Sequence, residues 1–434
     1  MENPSYLTGT ATATGGTTVN ARLLAQNAFW TLLNQILSRG SLMLSMIILA
    51  RALDVSGYAA YGYFILIISM LSAYATMGMG VAATRFFAGL VKEDNISQSQ
   101  TLAALITLSF SSSAMAFLLV MLVPSSFIGD NISIPRWLLA LGVFAFALNS
   151  VPNGAILGLQ KYRQTAVISF IVGLVLILGA VWSAHVQNVK LAMWTLVVSG
   201  LIQSIIGAIV IGFSMGWSQV TNGFPFKKNN VTRVLSFSGP MFLVTLFAST
   251  GSWFVGRMIL QGSEGEHGFA LFSIGLQWFS LGMLLPAQVS VVLFPKLVHS
   301  RSSGGKLGEA RQIARYGLQY VAILSLTALL VGGLLGDLIL EVYGANYQVS
   351  RWFVGAFLLA SVFGSMTAII GGIIVASDRP WNWLVFTSIW FLVLCLISVG
   401  LQNIGGWTGA VAYSGAYLVL MTCSAGYAYK KSLI

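Results

Sequence analysis

Long apolar segments with very few charges follow one another from residue 24 to residue 429, separated by short polar stretches. Such a segment of roughly 20 residues spans the hydrocarbon core of a bilayer as a helix, because a helix pairs its backbone polar groups internally. Charged residues make up 8% of the chain, against roughly 25% in soluble domains. We therefore predict an all-α integral membrane protein with twelve transmembrane helices. The predicted spans are 24–50, 58–84, 101–123, 136–158, 164–184, 191–213, 238–261, 268–294, 316–339, 352–376, 381–401 and 407–429.

Basic residues are unequally distributed between the polar stretches that join these spans. If the N terminus is cytoplasmic, sixteen of the twenty-two Lys and Arg residues lie on the cytoplasmic side and five on the other. Because Lys and Arg in short loops are retained in the cytoplasm, we predict a multi-pass protein with both termini cytoplasmic. The net charge of +11 then reflects membrane topology, and we expect no nucleic acid among the partners.

Two similar phrases indicate that the chain consists of two halves. GYAAYGY opens the second span at 57–63, and GFALFSI opens the eighth at 268–274. GAILGLQKYRQ and GGIIVASDRPW form a looser second pair, and chance similarity of apolar sequence is the alternative explanation. Parallel repeats are typical of carriers with a central cavity, so we predict two parallel six-helix lobes around one. The predicted organisation is a cytoplasmic tail 1–22, an N-terminal lobe 23–213, a linker 214–237 and a C-terminal lobe 238–434.

Three arginines lie in or at the ends of predicted spans, where an ionisable group is costly and indicates a functional site. Arg39 is in the middle of the first span, near the face that carries Asn34. Arg257 lies in the seventh span, and Arg85 ends the second, after glycines that indicate a bent or broken helix. Arg39, Arg85, Arg257 and Asn34 are the predicted substrate-binding residues of a cationic cavity. For Arg85 and Arg257, snorkelling to the headgroups is the alternative.

None of the eleven acidic residues lies in the middle of a predicted span. An arginine-lined cavity without acids suits an anion, and guanidinium binds phosphate bidentately. Aromatic residues are candidates for stacking on sugars, although membrane-interface or packing roles are the alternative. The candidates are Trp253, Trp278, Phe279, Trp352, Trp381 and Trp383.

Catalytic and metal-binding motifs are missing from the sequence. It has no phosphate-binding glycine loop and no cysteine or histidine cluster. We therefore expect neither an enzyme nor a cofactor or metal site, and coupling to protons or sodium stays open.

Several segments resemble a known family of transporters. IILARALDVSGYAAYGYF, TMGMGVAATRFFAG and WFVGRMILQGSEGEHGFALFSIGLQW are similar to helices one, two, seven and eight of Wzx-type O-antigen flippases. These are polysaccharide transporters of the multidrug/oligosaccharidyl-lipid/polysaccharide exporter superfamily. The resemblance implies two six-helix lobes, alternating access and a cationic cavity. Many members carry an aspartate immediately before the arginine of the seventh helix, where this chain has Gly256.

The resemblance also implies a function. We expect a flippase that moves an undecaprenyl-diphosphate-linked oligosaccharide, such as an O-antigen repeat unit for lipopolysaccharide, from the cytoplasmic to the periplasmic leaflet of the bacterial inner membrane. The expected partners are this substrate, membrane lipids, a polysaccharide polymerase and a chain-length regulator. Two alternatives stay open: a multidrug exporter of the same superfamily, disfavoured by the lack of intramembrane acids, and a membrane polysaccharide polymerase, disfavoured by the short outward loops.

Overall fold

The structure is a computed structural model that describes residues 21–89, 95–123, 134–215, 228–289, 307–347, 349–377 and 379–431. Across these ranges the chain is helical, without strands. The helices of the first half are α1 Ala21–Ala52, α2 Val55–Thr76, α3 Met79–Gly89, α4 Asn95–Leu122, α5 Arg136–Leu148, α6 Ser150–Gly158, α7 Tyr162–Val186 and α8 Val189–Met215. The helices of the second half are α9 Lys228–Gln261, α10 Gly265–Gly282, α11 Leu307–Leu334, α12 Gly336–Tyr343, α13 Trp352–Ala376, α14 Pro380–Gly400 and α15 Trp407–Lys430.

The predicted all-helical membrane architecture is confirmed, but the count of twelve spans is not. Eleven helices in the described ranges are long and apolar enough to cross a membrane. The twelfth predicted span, 407–429, is the helix α15, whose many Gly, Ala, Ser and Tyr residues leave it less apolar than the other eleven. Large apolar side chains face outward on several helices, including Leu118, Leu334 and Leu396. Such an exposed apolar surface is suited to contact with lipid.

Four predicted spans are divided within the described residues, and two of these divisions have a local cause in the sequence. The second divides at Met77 and Gly78, which have φ of 46° and 72°, so the bend expected from the glycines before Arg85 is confirmed. The fourth divides at Asn149, between α5 and α6. Pro152 explains that break, because its ring opposes the carbonyl four residues earlier.

Helices of each half pack mainly on one another, and the two groups meet along a seam. In the first half α1 packs on α7, and α5 packs on α2, α4 and α8. In the second half α13 packs on α11 and α15, and α14 packs on α9 and α15. Helix α2 crosses the seam to contact both α9 and α10. The domain boundaries themselves stay a prediction.

Two predicted segments lie largely outside the described residues. The tail 1–22 falls there except for its last two residues, which begin α1. Of the predicted linker 214–237, residues 216–227 lie outside the described ranges. Its last ten residues belong to α9, which begins at Lys228, ten residues before the predicted span.

Candidate functional site in the cavity between the two halves

A cavity of about 460 Å³ lies on the seam, within the roughly 300–1,000 Å³ of typical ligand sites. Helices α1 and α2 contribute to its walls from the first half, and α9, α10, α14 and α15 from the second. Its polar and aromatic lining residues are Arg39, Ser69, Ser252, Phe269, Ser273, Gln277, Phe279, Ser280, Trp390, Tyr413 and Tyr417. Among the described residues that line it, Arg39 alone carries a charge.

Arg39 joins the two halves inside this cavity. Its side chain is half-buried, and Nη1 donates a hydrogen bond of 2.6 Å to the carbonyl oxygen of Ser280 on α10. This carbonyl belongs to the last turn of α10, where carbonyls lack partners within the helix and the helix dipole is negative. A guanidinium group has five N–H donors, so this bond orients the group while further donors can serve a ligand.

Four aromatic residues of the second half form one side of the cavity, which we call the aromatic wall: Phe279, Trp390, Tyr413 and Tyr417. The rings of Phe279 and Tyr417 are stacked with centroids 5.5 Å apart, and Trp390 lies 5.3 Å from Tyr417. The Tyr413 hydroxyl donates to Ser252 Oγ at 2.7 Å. Rigid rings beside hydroxyl groups are suited to a ligand that is apolar on its faces and polar at its edges.

Of the aromatic wall, the sequence predicted only Phe279. Tyr413 and Tyr417 are four residues apart and so share a helix face, which is a signal that was available. The other predicted aromatic candidates are not among the described lining residues of this cavity. Trp352 and Trp381 are 63% and 61% exposed on the outer surface of the bundle.

Gln277 closes one end of the cavity through hydrogen bonds to both halves. Its Nε2 donates to the Tyr58 hydroxyl at 3.1 Å, and the Tyr343 hydroxyl donates to its Oε1 at 3.0 Å. Burial raises the pKa of Tyr343 above its usual range, so this hydroxyl stays protonated and remains a donor at neutral pH. Neither Gln277 nor these tyrosines were among the predicted site residues.

The same end of the bundle carries further contacts between the halves, which we call the rim. Arg51 donates from Nε to the carbonyl of Val342 at 2.7 Å and from Nη2 to that of Glu341 at 3.2 Å. The Tyr347 ring packs on Tyr58, with centroids 5.4 Å apart. Burial, and secondly the negative charge of Asp54, raises the pKa of Tyr347 to about 12. The segment 336–347 thus covers the junction of α1 and α2.

Arg257 lies in the seam between α2 and α9. Its guanidinium group lies 5.5 Å from the ring centroid of Trp253, a cation–π distance, and it also contacts the Tyr63 hydroxyl. A side-chain Cβ at the preceding Gly256 would lie 2.7 Å from Leu66 and 2.9 Å from Phe269. The seam therefore has no space for the aspartate that many resembling proteins carry there. Arg257 is not among the described residues that line the cavity.

Asn34 lies in a different place from Arg39, inside the first half. Its Oδ1 accepts a hydrogen bond of 2.7 Å from Ser169 on α7. It faces a pocket of about 10 Å³, the size of one water, together with Asn149, Asn153 and Gln203. The structure therefore does not bring Asn34 and Arg39 together, although they lie five positions apart on one helix.

Arg85 has its backbone in α3, beyond the break in the second span. Its side chain lies outside the described part of the structure, so its predicted role stays a prediction. Among the described residues, no three His, Cys, Asp or Glu side chains come together as a metal site.

The chain matches a known protein family over residues 24–298, and the description of that family is polysaccharide biosynthesis protein. The chain belongs to this family. Its relatives include the EPS I polysaccharide export inner membrane protein EpsE of Ralstonia nicotianae, which is 23% identical over 80% of this chain and 79% of the relative. The corresponding protein of Ralstonia solanacearum is 21% identical over 88% of each chain.

Solved structures with the same fold are transporters of the MOP superfamily, the exporter superfamily named above. A multidrug-resistance MATE transporter in an inward-facing conformation has a TM-score of 0.73 at 15% identity, covering 91% of this chain and 95% of that one. A Pyrococcus furiosus MOP transporter, described as having a binding pocket of reversed polarity, has a TM-score of 0.68 at 13% identity, covering 94% and 96%. At these identities the similarity establishes the fold alone.

Proposed function

We propose that this protein flips an undecaprenyl-diphosphate-linked oligosaccharide from the cytoplasmic to the periplasmic leaflet of the bacterial inner membrane by alternating access. Membership of the polysaccharide biosynthesis family and similarity to inner-membrane polysaccharide export proteins support the substrate class and the location. The oligosaccharide is a repeat unit of O-antigen or a related surface polysaccharide. Both termini are cytoplasmic in this proposal, as the distribution of Lys and Arg indicates.

The observation that carries the proposal is the position of Arg39 in the cavity between the halves. It is the one charged lining residue that the structure describes, and Ser280 holds it by a hydrogen bond. A guanidinium group stays charged when it is partly desolvated and binds phosphate oxygens in a bidentate way. A diphosphate is therefore the substrate group best suited to this position.

The aromatic wall and the neighbouring hydroxyl groups are suited to the sugars. Tyr417 presents a flat apolar surface that the buried ring of Phe279 supports, while Ser252, Ser273 and Gln277 supply hydrogen-bonding groups in the same cavity. A sugar ring has apolar faces and hydroxyl groups at its edge, so this combination binds it without a charged group.

In the proposed topology the rim is periplasmic, and the structure is closed on that side. Outward opening then requires that the Arg51 and Gln277 contacts between the halves break. A flippase must bind the head group with comparable affinity in its inward-open and outward-open states. A ligand that bound one state much more tightly would shift the protein toward that state and hold it there. We propose transport without a cofactor, and delivery to a polysaccharide polymerase with its chain-length regulator.

The test uses purified protein in liposomes that contain a polyprenyl-diphosphate-linked oligosaccharide, with uptake of a cationic dye measured in parallel. We expect movement of the lipid-linked sugar, its loss in Arg39→Ala, and no change in Arg136→Ala, which removes an exposed arginine outside the cavity. Dye uptake without movement of the lipid-linked sugar would overturn the proposal in favour of a multidrug exporter.

A further inference from the structure

A second cavity, which we call the apolar groove, lies between α2, α4 and α9 and has a volume of about 430 Å³. Met70, Leu71, Met115, Leu119 and Trp253 are among its lining residues. Met115 and Leu119 are 54% and 53% exposed on the outer surface of the bundle. The groove is therefore accessible from the side that faces lipid.

The polar side chains of the groove already have partners. The hydroxyl of Tyr74 hydrogen-bonds Thr250 Oγ1 at 2.5 Å, and that of Ser112 donates to the Ser109 carbonyl at 3.1 Å. The indole of Trp253 interacts with the Tyr63 hydroxyl. A polar ligand would lose its hydrogen bonds to water here without gaining hydrogen bonds to the protein. The groove therefore favours a hydrocarbon chain.

The groove and the cavity between the halves lie on opposite sides of the same wall. On α2, Leu66 lines the cavity and Ile67 lines the groove. On α9, Ser252 lines the cavity and Trp253 lines the groove. The packed α2–α9 seam therefore separates the two spaces.

A cation lies in this seam, between the two spaces. The Arg257 guanidinium lies 5.5 Å from the centroid of the Trp253 ring, one helical turn along α9. It also contacts the hydroxyl of Tyr63 on α2. An anionic group at the head of a hydrocarbon chain is complementary to this combination of charge and apolar surface.

We propose that the apolar groove binds the polyisoprenoid chain of the lipid-linked substrate. This inference rests on the function proposed above and adds a site for the part of the substrate that remains in the membrane. A polyprenyl diphosphate has one flexible, methyl-branched chain and a strongly anionic head, which matches one groove beside one guanidinium. The groove includes Met70, Met77 and Met115, whose flexible side chains adapt to such a branched chain.

The test uses a polyprenyl diphosphate with a photoreactive diazirine in its second isoprene unit, in phosphatidylethanolamine–phosphatidylglycerol vesicles that contain the full-length protein. We expect labelling to map to the groove residues of α2 and α4. Ala116→Trp, which fills the groove, should lower this labelling by roughly tenfold. Leu118→Trp, on the exposed surface of the same helix, should leave it unchanged.

Labelling spread evenly over the lipid-facing side chains would overturn the inference. Equal groove labelling by a photoreactive diacyl phospholipid would overturn the choice of a prenyl chain. Thermal unfolding of the variants separates lost binding from lost folding, and if Ala116→Trp does not fold, Met70→Phe narrows the same groove more mildly. The positions labelled in the wild-type protein test the groove site even if neither variant folds.

The same vesicles separate the two proposals. Wild-type protein that moves the lipid-linked oligosaccharide without groove labelling would contradict the groove and leave the flippase function standing. Groove labelling without any movement of the lipid-linked oligosaccharide would contradict the flippase function and leave a prenyl-chain site.

Discussion

Gly62 and Ser273 face each other where α2 and α10 cross, so closely that a Cβ on Gly62 would lie 2.6 Å from Ser273 Oγ. They occupy the same position, the sixth, in the two similar phrases GYAAYGY and GFALFSI. Next to this contact, Tyr63 packs edge-on against Phe269 with centroids 5.5 Å apart. The repeated phrases therefore mark the helices through which the two halves touch.

We expect Gly62→Ala to push α2 and α10 apart. Overpacking at such a contact costs about 1–3 kcal/mol of unfolding free energy, and Ser273→Gly in the same chain should restore most of it, because it removes the opposing Oγ and Cβ. Thermal unfolding of the purified protein measures both effects. If the double variant is no more stable than Gly62→Ala alone, the contact does not limit the approach of the helices.

We expect Arg39→Ala to weaken binding of a polyprenyl diphosphate by about 1.5–3 kcal/mol, the usual contribution of a hydrogen bond to a charged group. Arg39→Lys should lose less, because it keeps the charge but not the bidentate geometry. Titration calorimetry in detergent measures both affinities. An unchanged affinity in Arg39→Ala would show that Arg39 does not contribute to binding of the head group.

We expect Tyr417→Leu to weaken binding of a lipid-linked oligosaccharide by about 0.5–1.5 kcal/mol, because the flat surface beside Phe279 is lost. Tyr417→Phe keeps that surface and serves as the control. Binding of the polyprenyl diphosphate without sugars should not change in either variant. A loss that is equal with and without sugars would assign Tyr417 to packing of the second half.

We expect Arg51→Ala to favour opening of the rim, since it removes two hydrogen bonds between the halves. If the closed rim loses about 1 kcal/mol of stabilisation, the ratio of open to closed molecules rises roughly fivefold. Spin labels at Ser56 and Ala345, in a chain with Cys395 and Cys423 replaced by serine, report the distance across the rim. A distance distribution identical to that of the parent would show that the rim does not hold this end closed.

We expect Gly78→Ala to destabilise the break between α2 and α3, because Gly78 has a φ of 72° that an L-residue with a Cβ adopts at a cost of about 1–3 kcal/mol. Gly40→Ala is the matched control, since a Cβ at Gly40 meets no neighbouring atom and α1 is regular there. The midpoints of thermal unfolding compare the two. Equal effects would mean that the break tolerates a side chain.

The helices were predictable from the sequence because hydropathy is a local property. Each predicted span corresponds to described helix, apart from residues 290–294, which lie outside the described ranges, and the break before Arg85 followed from its glycines. The predicted ends of the helices were less accurate where a helix continues into polar sequence, as at the start of α9. Hydropathy identifies only the apolar part of such a helix, whereas its backbone hydrogen bonds continue through the polar part.

The sequence by itself determined that this chain is a helical membrane protein with two similar phrases, GYAAYGY and GFALFSI, and with an arginine deep in its first span. Only the tertiary structure decided which residues share a space. Arg39 lines the cavity between the halves, Asn34 faces a small pocket within one half, and Arg257 lies in the seam beside the apolar groove. The physical reason is that a side chain's surroundings depend on how its helix is rotated and which helices pack against it, and contacts between residues hundreds of positions apart set both.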